Sequence, residues 1–220
     1  MTKTQEEYLM LALKTPLFRG MEEEDAAALI GEMSGEVVSC AAGQTVTAEG
    51  EERRLMLLLS GMLLLLRYGE HGTRYILDYV LPGGIAGDAV GGKTALTGVQ
   101  FTAGKPSRLL SLCLTEGEES KAYRQFEKNL LSAAREESVR LARKADIAAR
   151  RTVRDKILTY LHYESARCGR RVFDIPLNRQ ELADYICVDR TTLSSMLNQL
   201  QREGVLLTDR NHFELLEPQE

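Results

Sequence analysis

Residues 177–205 read LNRQELADYICVDRTTLSSMLNQLQREGV. This stretch contains two short amphipathic helical patterns separated by three residues. Ala183 gives the first helix the small side chain that a close helix crossing needs, and Val188 places an apolar anchor in the turn. Asp189 stands where the N-cap of the second helix belongs, and Gly204 stands where that helix should end. The stretch predicts a helix-turn-helix.

The second of these helices has two different faces. One face is apolar and consists of Leu193, Leu197 and Leu200. The other face presents polar side chains, which are Arg190, Thr191, Ser194, Ser195 and Asn198. In a DNA-binding helix-turn-helix such a helix enters the major groove with its N-terminal side chains at the base edges. The alternative is a plain helical hairpin with a polar exposed face, and the neighbouring elements argue against it.

The elements around this stretch follow the order of a winged helix. Residues 150–169 predict a helix ended by Gly169, and RRVFDIPL, residues 170–177, predicts a short strand. VLLTDRNHFELL, residues 205–216, predicts two strands around a DRNH turn. Residues 148–220 carry 11 Lys and Arg against 11 Asp and Glu. DNA binding should therefore depend on individually placed arginines, namely Arg179, Arg190 and Arg210.

Residues 35 to about 114 have the texture of an all-β domain. Short β-prone runs alternate with glycine-containing turns roughly every 8–12 residues, which is typical of a barrel or sandwich. RYGEHGTRY, residues 67–75, predicts a hairpin with the turn GEHG. The run Leu55–Leu66 is so continuously apolar that part of it should be buried on both faces. Before this region, Tyr8–Leu13 and Glu22–Met33 carry helical patterns.

From Glu118 to about Ala149 the pattern becomes that of one long helix. Apolar and small residues recur at alternating spacings of three and four, which is typical of the seam between two paired helices. These residues are Leu131, Ala134, Ser138, Leu141, Ala145 and Ala148. Such a stripe predicts a parallel dimer. The alternative is that the stripe packs on the β domain of its own chain.

Composition and charge exclude several classes of protein. The 220 residues have a net charge of −4, so the chain is not uniformly basic. No apolar run is long enough to span a bilayer, and the first residues do not form a signal peptide, so we expect a cytoplasmic protein without a membrane partner. The four cysteines have no metal-ligand spacing, which favours scattered small apolar residues over a metal site. No nucleophile–base motif indicates an enzyme.

Two segments resemble one known family closely. NRQELADYICVDRTTLSSML, residues 178–197, is similar to the helix-turn-helix of the cyclic-AMP receptor / fumarate–nitrate reduction regulator (Crp–Fnr) family of bacterial transcription factors. LPGGIAGD, residues 81–88, resembles the turn before that family's effector-contacting helix. The resemblance implies an α+β chain with an N-terminal β-roll of the double-stranded β-helix (jelly-roll) type over residues 1–117. A dimerisation helix over 118–149 and a winged helix-turn-helix over 150–220 would follow.

The resemblance also implies roles for individual residues. Contacts with DNA phosphates would come from Asn178, Arg179, Gln180, Asp189 and Thr192. Base edges would be faced by Arg190, Thr191, Ser194 and Ser195, with Asn198 and Arg210 completing the DNA-binding set. A small effector would bind in the roll near Gly87, Asp88, Phe101 and Leu141.

Several departures from the family bear on the effector. The Arg-Ser pair with which cyclic-AMP binders hold the cyclic phosphate falls on Thr97 and Gly98, and Leu141 and Ala142 replace helix hydroxyls. We therefore expect an apolar or aromatic effector rather than cyclic AMP. The first cysteine is Cys40, which argues against an N-terminal iron–sulfur cluster. His71 falls in an exposed turn, which argues against haem, so no cofactor is predicted.

Two departures lie in the DNA-reading segment. Thr191 and Ser195 replace residues that discriminate bases more sharply, so the half-site should differ from those of well-known members. Cys187 stands where the family often has glycine, and it either adopts that backbone conformation or marks an altered turn.

The sequence predicts a homodimeric, sequence-specific transcription regulator that is controlled by a small effector. Its expected partners are a pseudo-palindromic DNA operator, a second copy of itself and RNA polymerase. The alternative is a constitutive DNA-binding regulator whose roll binds no ligand and serves as a dimer or protein-interaction scaffold.

Overall fold

The computed structural model describes residues 3–46, 54–69, 72–86, 99–114 and 120–216. The chain divides into two compact units. The first contains Met1–Tyr68 and Leu77–Val139, and the second contains Gly69–Ile76 and Arg140–Glu220. Among the described residues, no helix combines the length and the apolar composition needed to cross a membrane.

The first unit is built on an antiparallel sheet that two helices cover. The helices are α1, Lys3–Leu13, and α2, Glu23–Glu32, with a short 3-10 turn at Pro16–Phe18 between them. The strands are β1, Glu36–Cys40; β2, Thr45–Val46; β3, Arg54–Tyr68; β4, Arg74–Val80; β5, Ile85–Ala86; and β6, Val99–Cys113. The order in the sheet is β1-β6-β3-β4, while β2 pairs with β6 and β5 pairs with β3. The N-terminal β domain predicted from the sequence is confirmed.

The apolar run Leu55–Leu66 lies within β3 and is buried on both faces along much of its length. Leu55, Leu57 and Leu59 pack with α1 and α2, whereas Met56 and Leu58 point into a second cluster inside the roll. Because successive side chains of a strand alternate between faces, a strand covered on both sides must be apolar at every position. The prediction of two-sided burial is confirmed.

The long helix α3 runs from Lys121 to Ala149. In the first unit, Phe126 packs against Phe18 with ring centroids 5.9 Å apart. Asn129 donates from Nδ2 to the carbonyl oxygens of Leu17 and Arg19, both at 2.9 Å. The helix therefore packs through a different face from the predicted stripe.

The stripe itself is exposed or half-exposed along its whole length in the single chain. Leu131 is 68% exposed and Leu141 is 47% exposed. In the first unit, the exposure of Leu131 and Ser138 contradicts the alternative that the stripe packs on the β domain of its own chain. The dimer seam stays a prediction, and the exposed stripe of α3 is the surface through which two copies would pack.

The second unit has the predicted winged-helix order. Its elements are α4, Val153–Cys168; β7, Val172–Asp174; α5, Arg179–Ile186; α6, Arg190–Arg202; β8, Leu206–Asp209; and β9, His212–Leu215. The three strands form an antiparallel sheet in the order β7-β9-β8. Thr152 caps α4 by accepting a hydrogen bond from the Asp155 N–H, and Gly169 ends that helix with φ +66°. The segment Gly69–Ile76, which includes the first residues of β4, completes this unit.

Candidate nucleic-acid interface

The crossing of α5 and α6 forms as the sequence predicts. Ala183 is fully buried where the two helices meet, and Leu193, Leu197 and Leu200 bury the inner face of α6. Gly204, with φ +69°, follows the last residues of α6, as a helix-ending glycine should. These contacts fix the direction in which the outer face of α6 points.

The turn between the helices keeps a glycine-like backbone at a cysteine. Cys187 has φ 56° and ψ 59°, which is the left-handed region, and its N–H donates to the Ala183 carbonyl. The Val188 N–H donates to the same carbonyl at 3.0 Å, and the Val188 side chain is half-buried. Of the two alternatives left open by the sequence, the structure has Cys187 adopting the backbone conformation that favours glycine.

The start of α5 is organised by a capping box. Asn178 Oδ1 accepts hydrogen bonds from the N–H groups of Gln180 and Glu181, both at 3.0 Å. The Glu181 carboxylate in turn accepts from the Asn178 N–H at 2.7 Å. The side-chain oxygen of Asn178 is therefore committed to its own helix. A phosphate contact by Asn178 stays a prediction and would use its amide NH₂ group.

The start of α6 differs in one respect from the prediction. Asp189 occupies the N-cap position, but its side chain accepts no capping hydrogen bond. The prediction that Asp189 caps the helix is therefore right in position and wrong in contact: its backbone is extended, as at an N-cap, but its exposed side chain makes no capping hydrogen bond. A carboxylate at this end still interacts favourably with the helix dipole.

The outer face of α6 brings the predicted base-facing residues together. Exposed side chains follow one another from the head of the helix toward its middle, and Ser194 alone among them is half-buried. The exposed members are Arg190, Thr191, Thr192, Ser195 and Asn198. Arg190 is the one long cation in this set, and a guanidinium can donate two hydrogen bonds to a guanine edge. The face has the chemistry of a major-groove reader, and the individual contacts stay predictions.

Arg179, expected at a DNA phosphate, is engaged within the protein. Its Nη2 donates to Thr208 Oγ1 at 2.6 Å, and its guanidinium carbon lies 4.9 Å from the centre of the Phe213 ring. Burial lowers the pKa of the Arg179 guanidinium, and the Asp209 carboxylate partly offsets that shift. The phosphate contact of Arg179 stays a prediction, but the side chain would have to leave these partners to make it.

The wing between β8 and β9 carries the third arginine. Arg210 lies at the two-residue turn with φ +50°, and its side chain is exposed. On the opposite side of the turn, Asn211 Nδ2 donates to the Ile175 carbonyl at 3.2 Å, and the Ile175 N–H donates to the Asn211 carbonyl at 2.9 Å. The wing therefore presents Arg210 from an anchored turn.

A cavity of about 600 Å³, which no sequence pattern indicated, opens beside the head of α6. It is lined by Arg74, Cys187 and Arg190, among others. Arg74 Nε donates to Asp184 Oδ2 at 2.8 Å, and Arg74 Nη2 forms an ion pair with the same oxygen at 2.6 Å. Gln180 Nε2 donates to Asp184 Oδ1 at 2.7 Å. Gln180, expected at a phosphate, is thus tied to α5 by its amide.

The residues predicted to bind an effector are only partly described. Gly87 and Asp88 lie outside the described residues. Phe101 is half-buried and packs on the cluster inside the roll. Leu141 is exposed on α3 and belongs to the second unit. An effector site at these residues stays a prediction.

Neither the cysteines nor the histidines of the described residues assemble a metal site. No group of three or more His, Cys, Asp or Glu side chains within the described ranges could hold a metal ion. The four cysteines, which all lie within the described residues, form no disulfide; Cys40 and Cys113 are buried, and Cys187 is exposed.

Residues 87–94, GDAVGGKT, match the phosphate-loop pattern G-x-x-x-x-G-K-[ST] by sequence. They lie outside the described residues, directly after β5. A phosphate loop is assigned only where such a pattern lies between a strand and a helix, so the sequence match alone assigns no nucleotide site.

Comparison with known proteins identifies the C-terminal module. Residues 155–220 match the family model of the Crp-like helix-turn-helix domain. The chain is 29% identical over 185 residues to the transcriptional activator protein FnrL of Cereibacter sphaeroides. The aligned region covers 75% of this chain and 70% of that protein. The relatives are transcriptional regulators rather than enzymes.

Solved structures share the fold of the chain. A cyclic nucleotide-binding domain containing protein from Listeria monocytogenes EGD-e matches with a TM-score of 0.69 at 14% identity, covering 86% of this chain and 97% of that one. The c-di-GMP-responsive global regulator CLP of Xanthomonas campestris matches with a TM-score of 0.65 at 19% identity, covering 87% and 100%. At such low identities these likenesses establish the fold alone.

Proposed function

We propose that this chain, a transcription regulator of the Crp–Fnr family with a Crp-like helix-turn-helix domain, acts as a homodimer on a pseudo-palindromic operator under the control of a small effector. The observation that carries the proposal is the outer face of α6, where Arg190 stands with exposed hydroxyl and amide side chains over a fully buried apolar face. Reading of bases needs such donors and acceptors on a rigidly held helix.

The exposed stripe of α3 supports the homodimer. Leu131 and Leu141 expose large apolar side chains that water solvates poorly, and burial against a second copy would remove them from solvent. The small residues between them would allow the two helices to approach closely. Two recognition helices related by a two-fold axis would then read half-sites about 34–36 Å apart.

The effector is proposed to bind in the first unit. The cluster inside the roll is apolar, with Met56, Leu58 and Val80 among its buried members. Together with the missing Arg-Ser pair, this supports an apolar or aromatic ligand over cyclic AMP. Calorimetry with cyclic AMP should give no tight binding, and tight binding would contradict this part of the proposal.

A constitutive regulator is the competing form of the same proposal. A thermal-shift screen against metabolites separates the two forms, because a ligand that binds only the folded state raises the melting temperature. We further propose that the protein acts in the cytoplasm and contacts RNA polymerase. The contact is supported by the relative FnrL, which is a transcriptional activator.

Selection from a pool of random duplexes tests the DNA-binding proposal. The full chain should recover a two-fold related motif, with the two half-sites about one helical turn apart. Leu141→Glu should recover isolated half-sites at much lower affinity. Recovery of unrelated sequences by the full chain would contradict sequence-specific binding.

A further inference from the structure

Arg179 links the first helix of the helix-turn-helix to the wing. It is the first residue of α5, and its Nη2 donates to Thr208 Oγ1 at 2.6 Å, two residues before the wing residue Arg210. Its Nη1 is buried and has no hydrogen-bond partner within the described part of the chain. A guanidinium held in this way is directed into the protein rather than toward DNA.

Thr208 joins this link to the recognition helix as well. Its N–H donates to Gln201 Oε1 at 2.9 Å, and Gln201 belongs to α6. One residue of β8 is therefore hydrogen-bonded to both helices of the helix-turn-helix. Because β8 has only one neighbouring strand, these side-chain contacts act with the buried Leu206 to hold it against α5 and α6.

The flat face of the guanidinium is also packed. It lies 4.9 Å from the centre of the Phe213 ring, which stacks on Phe173 at 6.4 Å between centroids with planes 21° apart. Phe213 is paired with Thr208 across the β8–β9 ladder. Arg179 thus meets both strands of the wing, one through a hydrogen bond and the other through a cation–π contact.

We infer that Arg179 is a positioning residue: it holds the wing so that Arg210 reaches the DNA backbone, and it does not contact a phosphate itself. The inference rests on the proposed DNA-binding function. The two roles of Arg179 predict different effects on operator affinity. If Arg179 acts through Arg210, replacing Arg179 has no effect in a variant that already lacks Arg210. A residue that contacts its own phosphate keeps its effect in that background.

Thr208→Val gives the sharpest single variant, because valine keeps the shape of threonine and removes the oxygen that accepts from Arg179. If Arg179 positions the wing, operator affinity should fall about tenfold, the effect of losing one hydrogen bond to a charged group. If Arg179 contacts a phosphate, release from Thr208 should leave affinity unchanged or raise it. Arg151→Met removes an exposed arginine in the same unit and serves as the control for lost charge.

A double-mutant cycle completes the test in the full-length protein. Arg179→Met should weaken operator binding in the wild-type background and have no further effect when combined with Arg210→Met. The dependence of log affinity on log salt should likewise fall by about 0.9 per subunit for Arg210→Met and no further for the double variant. Additive losses, or a further drop in salt dependence, would overturn the inference.

Hydrogen exchange provides a readout that does not require DNA. Arg179→Met and Thr208→Val should both speed exchange of the β8 amides, Leu206–Asp209, relative to the Arg151→Met control. Unchanged exchange would overturn the positioning role even if the chain bound no duplex. Failure of the wild-type chain to bind any duplex, with exchange behaving as expected, would instead contradict the proposed function.

Discussion

Cys187→Gly should stabilise the helix-turn-helix. Cys187 holds φ 56° and ψ 59° at the end of α5, and its Cβ makes that conformation unfavourable by about 1–2 kcal/mol for a residue other than glycine. Its exposed side chain returns little, because Sγ approaches the Asp184 and Tyr185 carbonyl oxygens only to 3.9 Å. Glycine would remove the backbone strain and leave the turn hydrogen bond to Ala183 in place.

Glycine also gives the unfolded chain more conformational entropy, which lowers the free energy of unfolding by about 0.5–1 kcal/mol and offsets part of the gain. Taken at the middle of the two ranges, the net effect is a stabilisation of about 0.75 kcal/mol. For a unit of this size that corresponds to a rise in melting temperature of about 3–6 °C. Differential scanning calorimetry of the full chain, observing the transition of the second unit, measures it.

Cys187→Ala is the matched control, because alanine removes the thiol and keeps a Cβ in the left-handed region. It should melt at the wild-type temperature or slightly below. If Cys187→Gly is no more stable than Cys187→Ala, the assignment of strain to this residue is wrong.

Three further predictions concern the seam, the α3–α4 junction and the core. Leu141→Glu should convert dimers to monomers in light scattering at micromolar concentration, because it opposes two carboxylates, and persistent dimers would refute the seam. Hydrogen bonds from Arg150 and Tyr163 hold the pKa of Asp146 below its usual range. These hydrogen bonds therefore stabilise the folded state above about pH 4, and the stabilisation is lost as pH falls through the lowered pKa of Asp146. Asp146→Asn should make the free energy of unfolding depend less on pH below about pH 4, as measured by urea unfolding at a series of pH values. Leu193→Ala, at a fully buried position, should cost about 2–5 kcal/mol in urea unfolding, and a loss under 1 kcal/mol would contradict its place in the core.

Local patterns predicted the helices, strands and turn of the second unit because each depends on residues close in sequence. The apolar face of α6, the small Ala183 and the helix-ending glycines all lie within one or two turns of what they determine. The long α3 was predicted for the same reason, and its exposed stripe agrees with the seam spacing. A pattern of this kind shows which face is apolar and not what covers it. Only the structure shows that Leu131 and Ser138 stay exposed in the single chain.

The contacts that sequence reasoning did not predict join distant segments. Arg74 and Asp184 are 110 positions apart, and no periodicity connects them. Arg179 donates to Thr208 across 29 positions, and no local pattern indicates that contact. Residue type and position also favoured a capping hydrogen bond from α6 to the Asp189 side chain, which the side chain does not accept.

Fluorescence anisotropy of the Arg190→Ala variant shows whether the outer face of α6 reads bases. Binding is measured to the selected operator and to a scrambled duplex at two salt concentrations, with Arg151→Met as the control. We expect a loss of about 1–3 kcal/mol per half-site on the operator, a relaxed preference at one base pair and little change on the scrambled duplex. Equal weakening on both duplexes would contradict this expectation.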